Sequence, residues 1–181
     1  MTVSAELVGA WRRSGLIIDG RRHVDYCDVL WIQTPELFAD IRLPIDPNST
    51  RPTRGVPGRF AAEMAFAGTG SWEDPIMTWS HELDSALETA VDANPLSAED
   101  GVMVERGQLT EDGRQVPFIE EWLRLTGQNP EWEVASDPSR IRVQVGRWAI
   151  EVADLRPGGS FTARRYERGP SGWTETGSMT A

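Results

Sequence analysis

The 181-residue chain contains no lysine, one cysteine and two histidines. Each scarcity narrows the chemistry open to it. Cys27 has no second cysteine to pair with, and its place in a patterned apolar strand marks it as a small buried hydrophobe rather than a reactive thiol. Two histidines and one cysteine supply none of the close ligand spacings of a zinc site, so no metal is expected. Ser14, Ser71, Ser80 and Ser178 lack the Gly-x-Ser-x-Gly setting of a nucleophile elbow, and a serine triad would have to use His23 or His81. Gly68-Thr69-Gly70 is too short for a phosphate loop, and Pro157-Gly158-Gly159 lacks the lysine and helix that would follow one. These absences disfavour nucleotide and nicotinamide chemistry and leave a cofactor-independent protein.

Long apolar runs are missing as well. No stretch approaches the roughly 18 residues of a membrane span. The opening Met1-Thr2-Val3-Ser4-Ala5-Glu6 has neither a basic segment nor an apolar core of signal-peptide length, which predicts a cytoplasmic protein. Basic charge is in deficit, with 18 arginines against 28 acidic residues, a net charge of -10 and a pI near 4.7. That balance argues against nucleic acid as a partner, because binding its backbone requires a basic surface. A hydrophobic content of 39% and a mean hydropathy of -0.40 describe a soluble chain, and its length suits one domain over residues 1–181.

What is abundant is tryptophan, eight residues spaced along the chain, together with alternating patterns of strand length. Val8 to Ile18 ends at Asp19-Gly20, a pair suited to a tight hairpin turn, and Val24 to Gln33 reads as the returning strand. Leu37 to Leu43 alternates Leu37, Ala39, Ile41 and Leu43 with Phe38, Asp40 and Arg42. Pro44 to Pro57 reads as an exposed loop over a barrel mouth, and the alanines of Gly58 to Ala67 predict one short helix. Ile76 to Leu83 is a strand carrying Trp79, His81 and Leu83 on one side and Ser80, Glu82 and Asp84 on the other. Ser85 to Asp100 reads as a loop or short surface helix, and Gly127 to Pro138 as a loop. Val102 to Leu109 and Val116 to Leu125 flank the turn Glu111-Asp112-Gly113-Arg114, and short strands follow from Ile141 to Gly177. The fold class expected is all-β, a single antiparallel up-and-down barrel of about eight to ten strands with one short helix.

Gly9-Ala10-Trp11 at the head of the first strand is similar to the Gly-x-Trp signature of lipocalins and related calycin barrels. Trp31-Ile32-Gln33-Thr34, Asp40 to Pro44, Phe66-Ala67-Gly68, Trp79 to Asp84 and Glu120 to Arg124 resemble a poorly characterised lipocalin-like group from bacteria and fungi. The resemblance covers about residues 8 to 125. It implies a lipocalin-like barrel in which Trp11 closes one end and packs near an arginine of the last strands, Arg164 or Arg165. It specifies no reaction, since this architecture hosts carriers and enzymes alike. Nitrobindin-type barrels bind haem through a late histidine, and no histidine follows His81 here, so no haem is expected.

Strand parity selects the candidate interior. Residues two apart share a face, so Phe118, Glu120, Trp122 and Arg124 lie together, opposite Ile119, Glu121, Leu123 and Leu125. The first set is preferred as inward. Trp31 with Gln33, Arg42 with Asp40, Trp79 with His81, and Met103 with Glu105 complete the lining. His81 reads either as a buried structural histidine or as an acid/base group beside Glu120 or Glu105. Asp40 and Arg42 read as an ion pair ahead of a ligand anchor.

Two uses of this interior follow. A binding protein would hold one small apolar or amphipathic molecule against Trp31, Trp79, Met103, Phe118 and Trp122, with Arg42 and Gln33 orienting its polar end. A cofactor-independent isomerase, cyclase, hydratase or hydrolase would use His81 with Glu120 or Glu105 as its acid/base pair. A protein-interaction domain using a strand face or the acidic Ser85 to Asp100 segment is the third class, and a second copy of the chain, forming a homodimer, is a candidate partner.

Overall fold

Asp19 and Gly20 adopt φ values of 51° and 75°, the left-handed pair that a two-residue hairpin turn needs and that these residue types tolerate. In the computed structural model, which describes residues 2–46, 60, 62–86, 90–99, 102–111 and 113–181, this turn folds β1 (Gly9–Ile18) onto the short β2 (Arg21–His23). The chain leaves β1 at an exposed Val24 and rejoins it as β3 (Cys27–Gln33), with Arg12 opposite Leu30. The returning strand expected from Val24 is β3, which begins at Cys27, and the short β2 before it was not expected.

A meander continues through β4 (Leu37–Pro44), β5 (Met64–Glu73), β6 (Ile76–Asp84), β7 (Val91–Glu99), β8 (Val102–Glu111) and β9 (Arg114–Arg124). Each of these strands pairs antiparallel with the next, and β9 pairs back onto β1 from Trp11 opposite Arg124 to Ile18 opposite Phe118. That last pairing closes an eight-stranded antiparallel barrel, with β2 as an extra strand. A second antiparallel sheet of five strands follows: β10 (Trp132–Asp137), β11 (Arg140–Val145), β12 (Trp148–Asp154), β13 (Phe161–Gly169) and β14 (Gly172–Thr180). Among the described residues no helix is long and apolar enough to cross a membrane.

Alternation along the barrel strands produces two separate cores. Inward residues form one aromatic cluster around Trp11, Trp31, Phe38, Phe66, Trp79 and Trp122, and a smaller one of Leu16, Ile18, Phe60, Val116 and Phe118. Outward residues, among them Ala10, Ile32, Ala39, Ile41, Ala65, Ala67 and Leu83, pack against Ile141, Val143, Ile150, Val152, Phe161 and Ala163 of the second sheet. Asp28 joins the two sheets polarly as well, 2.8 Å from Arg165 and 3.3 Å from Arg12.

Two irregularities change which side chains point inward. The β1–β9 register shifts between Arg13 and Gly15, so Trp11 and Arg13 face in before the bulge and Leu16 and Ile18 after it. The β5–β6 register shifts between Ala67 and Gly68, placing Gly68 opposite His81 but Ala67 opposite Leu83 and Phe66 opposite Asp84. Leu83 thus turns away from Trp79 and His81 to the outer core, and Asp84 turns toward His81.

The all-β barrel matches the expectation, and three local readings are corrected. The helix expected over Gly58 to Ala67 gives way to strand from Met64 onward, while 58, 59 and 61 lie outside the described residues. Its alanines signal close packing instead: Ala65 and Ala67 are fully buried beneath the second sheet while Phe66 enters the barrel, and this tertiary contact overrides local helix propensity. Ser85 to Asp100 contains β7, whose inward residues Asp92 and Asn94 are polar and so disguised the alternation. Gly127 to Pro138 contains β10, an edge strand with every residue exposed. The loop read over Pro44 to Pro57 lies outside the described residues beyond Asp46.

Candidate functional site

Trp31 of β3 is the hub of the barrel interior. Its ring stacks on Trp11 with centroids 5.9 Å apart, and Trp79 and Trp122 meet it edge-on at 5.4 and 5.5 Å, the offset and T-shaped arrangements that aromatic quadrupoles favour. Trp31 is 2% exposed, and its indole N–H is buried with no hydrogen-bond partner among the described residues. Trp11 caps this end of the barrel: its Nε1 donates to Leu7 O at 3.0 Å, and the Arg124 guanidinium lies 4.3 Å from its ring. The arginine over Trp11 is therefore Arg124. Arg165 instead pairs with Asp28, and Arg164 lies beside Glu175.

Next to the aromatic hub the barrel buries a network of charges. Arg13 of β1 places Nη1 2.5 Å from Glu120 Oε1 and grips Asp25 with Nε at 2.7 Å and Nη2 at 2.6 Å. Arg42 of β4 donates from Nε to Asp40 Oδ1 at 2.9 Å, and its Nη1 lies 4.0 Å from Glu120 Oε1. Burial works against both guanidinium charges, yet Glu120 and Asp25 beside Arg13, and Asp40 and Glu120 beside Arg42, outweigh it and raise both pKa values. Burial also raises Asp40, against the pull of Arg42. Such pairs cost little only while both partners remain, because removal of one strands the other in a medium of low dielectric.

Glu105 of β8 stands opposite Glu120 in the β8–β9 register. Its Oε1 accepts from Asn94 Nδ2 at 2.8 Å and its Oε2 accepts from Trp122 Nε1 at 3.2 Å. Burial, reinforced by the Glu120 charge, pushes its pKa from the ordinary 4.5 to about 8. Burial and the neighbouring Glu120 charge thus favour the protonated form of Glu105, while Glu120 is bonded to Arg13.

His81 stacks on Phe66 with centroids 4.1 Å apart and rings 10° from parallel. Its Nδ1 is 2.7 Å from Asp84 Oδ2, and Nε2 is 3.5 Å from Asp92 Oδ2, beyond a good hydrogen bond. Burial lowers its pKa, but Asp84 and Asp92 together raise it further, for a net upward shift. His81 is thus engaged by Asp84 and Asp92 rather than by Glu105 or Glu120.

A cavity of about 30 Å³ remains among these groups. Its walls are the rings of Trp31, Phe38, Phe66, Trp79 and Trp122 and the polar groups of Asp40, Arg42, Asp92, Glu105 and Glu120. Since one water needs about 10–15 Å³ on this measure, the space admits about two or three non-hydrogen atoms. It is far below the roughly 300 Å³ at which ordinary ligand pockets begin. The tryptophan rings expected to line the interior fill most of it.

Seven residues singled out in the sequence meet at this cavity: Trp31, Asp40, Arg42, Trp79, Glu105, Glu120 and Trp122. Four lie elsewhere. Gln33 is fully buried, but its Nε2 donates to Thr34 O at 2.8 Å and to Leu37 O at 3.3 Å, holding the turn between β3 and β4. Met103 packs in the aromatic cluster without reaching the cavity, His81 stands behind Phe66, and Phe118 belongs to the second inner cluster with Phe60. Sequence reasoning missed Arg13, Phe38, Phe66 and Asp92. Phe38 was within reach, since it shares parity with Asp40 and Arg42. Phe66 and Asp92 were hidden by the helix and loop readings, and Arg13 by the bulge that follows it. Among the described residues, no three histidine, cysteine or acidic side chains are grouped to hold a metal ion.

The sequence matches no family model and no curated protein. The structure is similar to the crystal structure of the uncharacterized protein YLR301w from Saccharomyces cerevisiae, with a TM-score of 0.68 and 14% identity. The match covers 93% of this chain and 84% of the yeast chain, which establishes a shared fold extending across both sheets.

Proposed function

We propose that this protein is a small-molecule-binding barrel whose site is the cavity between the tryptophan hub and the buried charge network. The observation that carries the reading is the meeting, in one cavity, of five aromatic rings with five ionisable side chains. Buried charges are costly and aromatic surface alone would fill a core, so a wall combining both suits recognition of a polar guest. The buried indole N–H of Trp31, without a partner among the described residues, adds a donor that a guest or a water can satisfy. The size of the space narrows the expected small apolar or amphipathic ligand to one of a few non-hydrogen atoms, or to the terminal group of a larger one.

Native mass spectrometry of the full chain after exposure to a metabolite extract tests this reading. A retained small molecule, lost in Trp31→Ala and Trp122→Ala variants that remain folded, supports it. Recovery of the same molecules by wild type and both variants, or of none by wild type, overturns it.

A catalytic reading draws on a different observation, the proton-bearing Glu105 across the strand pair from Glu120. Donor and acceptor in one buried cavity are the parts of an acid/base enzyme. In that reading Glu105 is the acid and Glu120 the base, with His81 held apart by Asp84. Turnover of a retained metabolite that disappears in Glu105→Gln would favour it over simple binding.

A further inference from the structure

The barrel wall is split between β7 and β8. These strands pair only from Leu96 opposite Glu105 to Glu99 opposite Val102. Over residues 91–95, β7 has β6 as its only partner strand among the described residues, and over residues 106–111, β8 has only β9. Along the split runs a groove of about 490 Å³, and its lining comes from both faces of the wall. Ala93, Pro95 and Gln108 are exposed and point outward, whereas Asn94, Gly107 and Phe118 share the parity of the inward residues Asp92, Glu105 and Glu120. A groove bounded by outward side chains alone would be surface relief; this one reaches through the sheet. Gly107 keeps the passage free of a further side chain, since a Cβ there would lie 2.2 Å from the Phe118 ring and 2.7 Å from Asn94 Oδ1. Asn94 joins the groove to the inner cavity: it lines the first, and its Nδ2 donates at 2.8 Å to Glu105 Oε1 at the wall of the second.

The two spaces together define a guest. The inner cavity of about 30 Å³ holds only a few atoms, yet the groove beside it lies within the roughly 300–1,000 Å³ of ordinary ligand sites. The charges at the cavity are already engaged, Arg42 by Asp40 at 2.9 Å, Glu120 by Arg13 at 2.5 Å, and Asp92 beside His81 Nε2 at 3.5 Å. A charged end group would therefore enter without a matching ion. The Trp31 indole N–H at the same wall is buried with no partner among the described residues, and a donor of this kind is satisfied only by an acceptor. In the groove, Ala93, Pro95, Pro117 and Ile119 are apolar, and Arg106, the charged member of the lining, is held by Glu99 at 2.7 Å. Resting on the reading that the inner cavity binds a small molecule, we propose that the guest is an uncharged amphipathic molecule lying through the wall. Its apolar chain occupies the β7–β8 groove, and its terminal carbonyl passes Asn94 into the cavity, where the oxygen accepts a hydrogen bond from Trp31 Nε1. A methyl ketone or an aldehyde end fits the two or three non-hydrogen atoms that the cavity admits.

The test titrates the full-length ¹⁵N-labelled protein separately with acetone, 2-octanone, octanoate and octylammonium and follows the indole N–H resonances by NMR, with Trp31 assigned from a Trp31→Phe variant. 2-Octanone is expected to move the Trp31 resonance saturably and to bind about a hundred-fold tighter than acetone, because its additional methylenes lie in the groove. Octanoate and octylammonium carry a similar chain with a charged end and should bind at least about ten-fold more weakly than 2-octanone. Ala93→Phe and Gln108→Trp fill the groove from its opposite banks with outward side chains that leave the barrel core untouched. Each should cut the advantage of 2-octanone over acetone to less than about ten-fold while acetone keeps its own affinity. A 2-octanone affinity no better than that of acetone, or an advantage that survives both substitutions, overturns the groove. Equal or tighter binding of octanoate or octylammonium overturns the uncharged end group, and a Trp31 resonance unmoved at saturation overturns the hydrogen bond. If 2-octanone does not bind, the whole proposal falls, and the metabolite-retention measurement on wild type and the tryptophan variants judges the binding reading separately.

Discussion

Glu105 shows how one residue's chemistry is set by its surroundings. An ordinary glutamate is charged at neutral pH, whereas Glu105, buried and opposite Glu120, titrates near 8. Its folded pKa lies above the unfolded value near 4.5, so the proton is bound more tightly in the folded state. The stability contributed is complete below about pH 4.5 and is lost as the pH rises through about 8. Glu105→Gln removes this titration, so urea denaturation should show the variant gaining about 4 kcal/mol on wild type between pH 5 and 8.5. Parallel stability curves would place Glu105 in a wetter and less perturbed setting. The candidacy of Glu105 followed from its parity with Met103 and from the polarity of an inward position. Its protonation depended on Glu120 and on complete burial, neither of which is a local property.

Bulges decide the argument at the level of strands. Period-two alternation correctly grouped Trp31 with Gln33, Trp79 with His81, and Glu120 with Trp122, because each pair lies within an unbroken stretch. It failed across the β5–β6 irregularity, where one added residue sends Leu83 to the outer core and brings Asp84 to His81. Gly68 marks the place. A Cβ there would lie 2.0 Å from Ser80 O and 2.8 Å from Glu82 N, both backbone atoms that cannot rotate aside. Gly68→Ala should therefore cost about 3 kcal/mol by overpacking. Gly113, at φ 76° with no atom within 4 Å of its added Cβ, provides the control, since Gly113→Ala should cost only about 1 kcal/mol of backbone strain. Denaturant midpoints of the two variants measure the difference, and equal losses would mean that the bulge can open to admit a methyl group.

At the scale of the molecule, the second sheet buries the barrel's outer apolar face. Ile32, Ile41 and Leu83 share one cluster with Val143, Val152 and Phe161, and Arg156 reaches across with Nη2 2.8 Å from Asp84 O. Because each sheet covers apolar surface of the other, calorimetry should show a single transition with matching calorimetric and van't Hoff enthalpies. Val152→Asp places a charge without a partner between the sheets and should cost about 4 kcal/mol, lowering Tm by about 8–16 °C in a chain of this size. Two resolved transitions in wild type would show instead that the sheets unfold separately. The second sheet is also where sequence reading was poorest. β10 is exposed throughout, so its pattern carries no core face, and the β11 to β14 strands have the same short antiparallel appearance as those of a continuing barrel.

The sequence by itself determined the all-β class, the Asp19-Gly20 turn, and the shared faces of Trp79 with His81, Met103 with Glu105, and Glu120 with Trp122, with the inward face a preference. These are consequences of local rules, turn chemistry and the two-residue period of a strand. Only the tertiary structure decided which charges meet: Arg13 with Glu120, His81 with Asp84, and Arg124 over Trp11. It alone also decided that the strands divide between a closed barrel and a second sheet, and that about 30 Å³ remains at the site. Contacts between strands depend on register and bulges that a one-residue shift resets, and a cavity is the volume left after every surrounding side chain is placed.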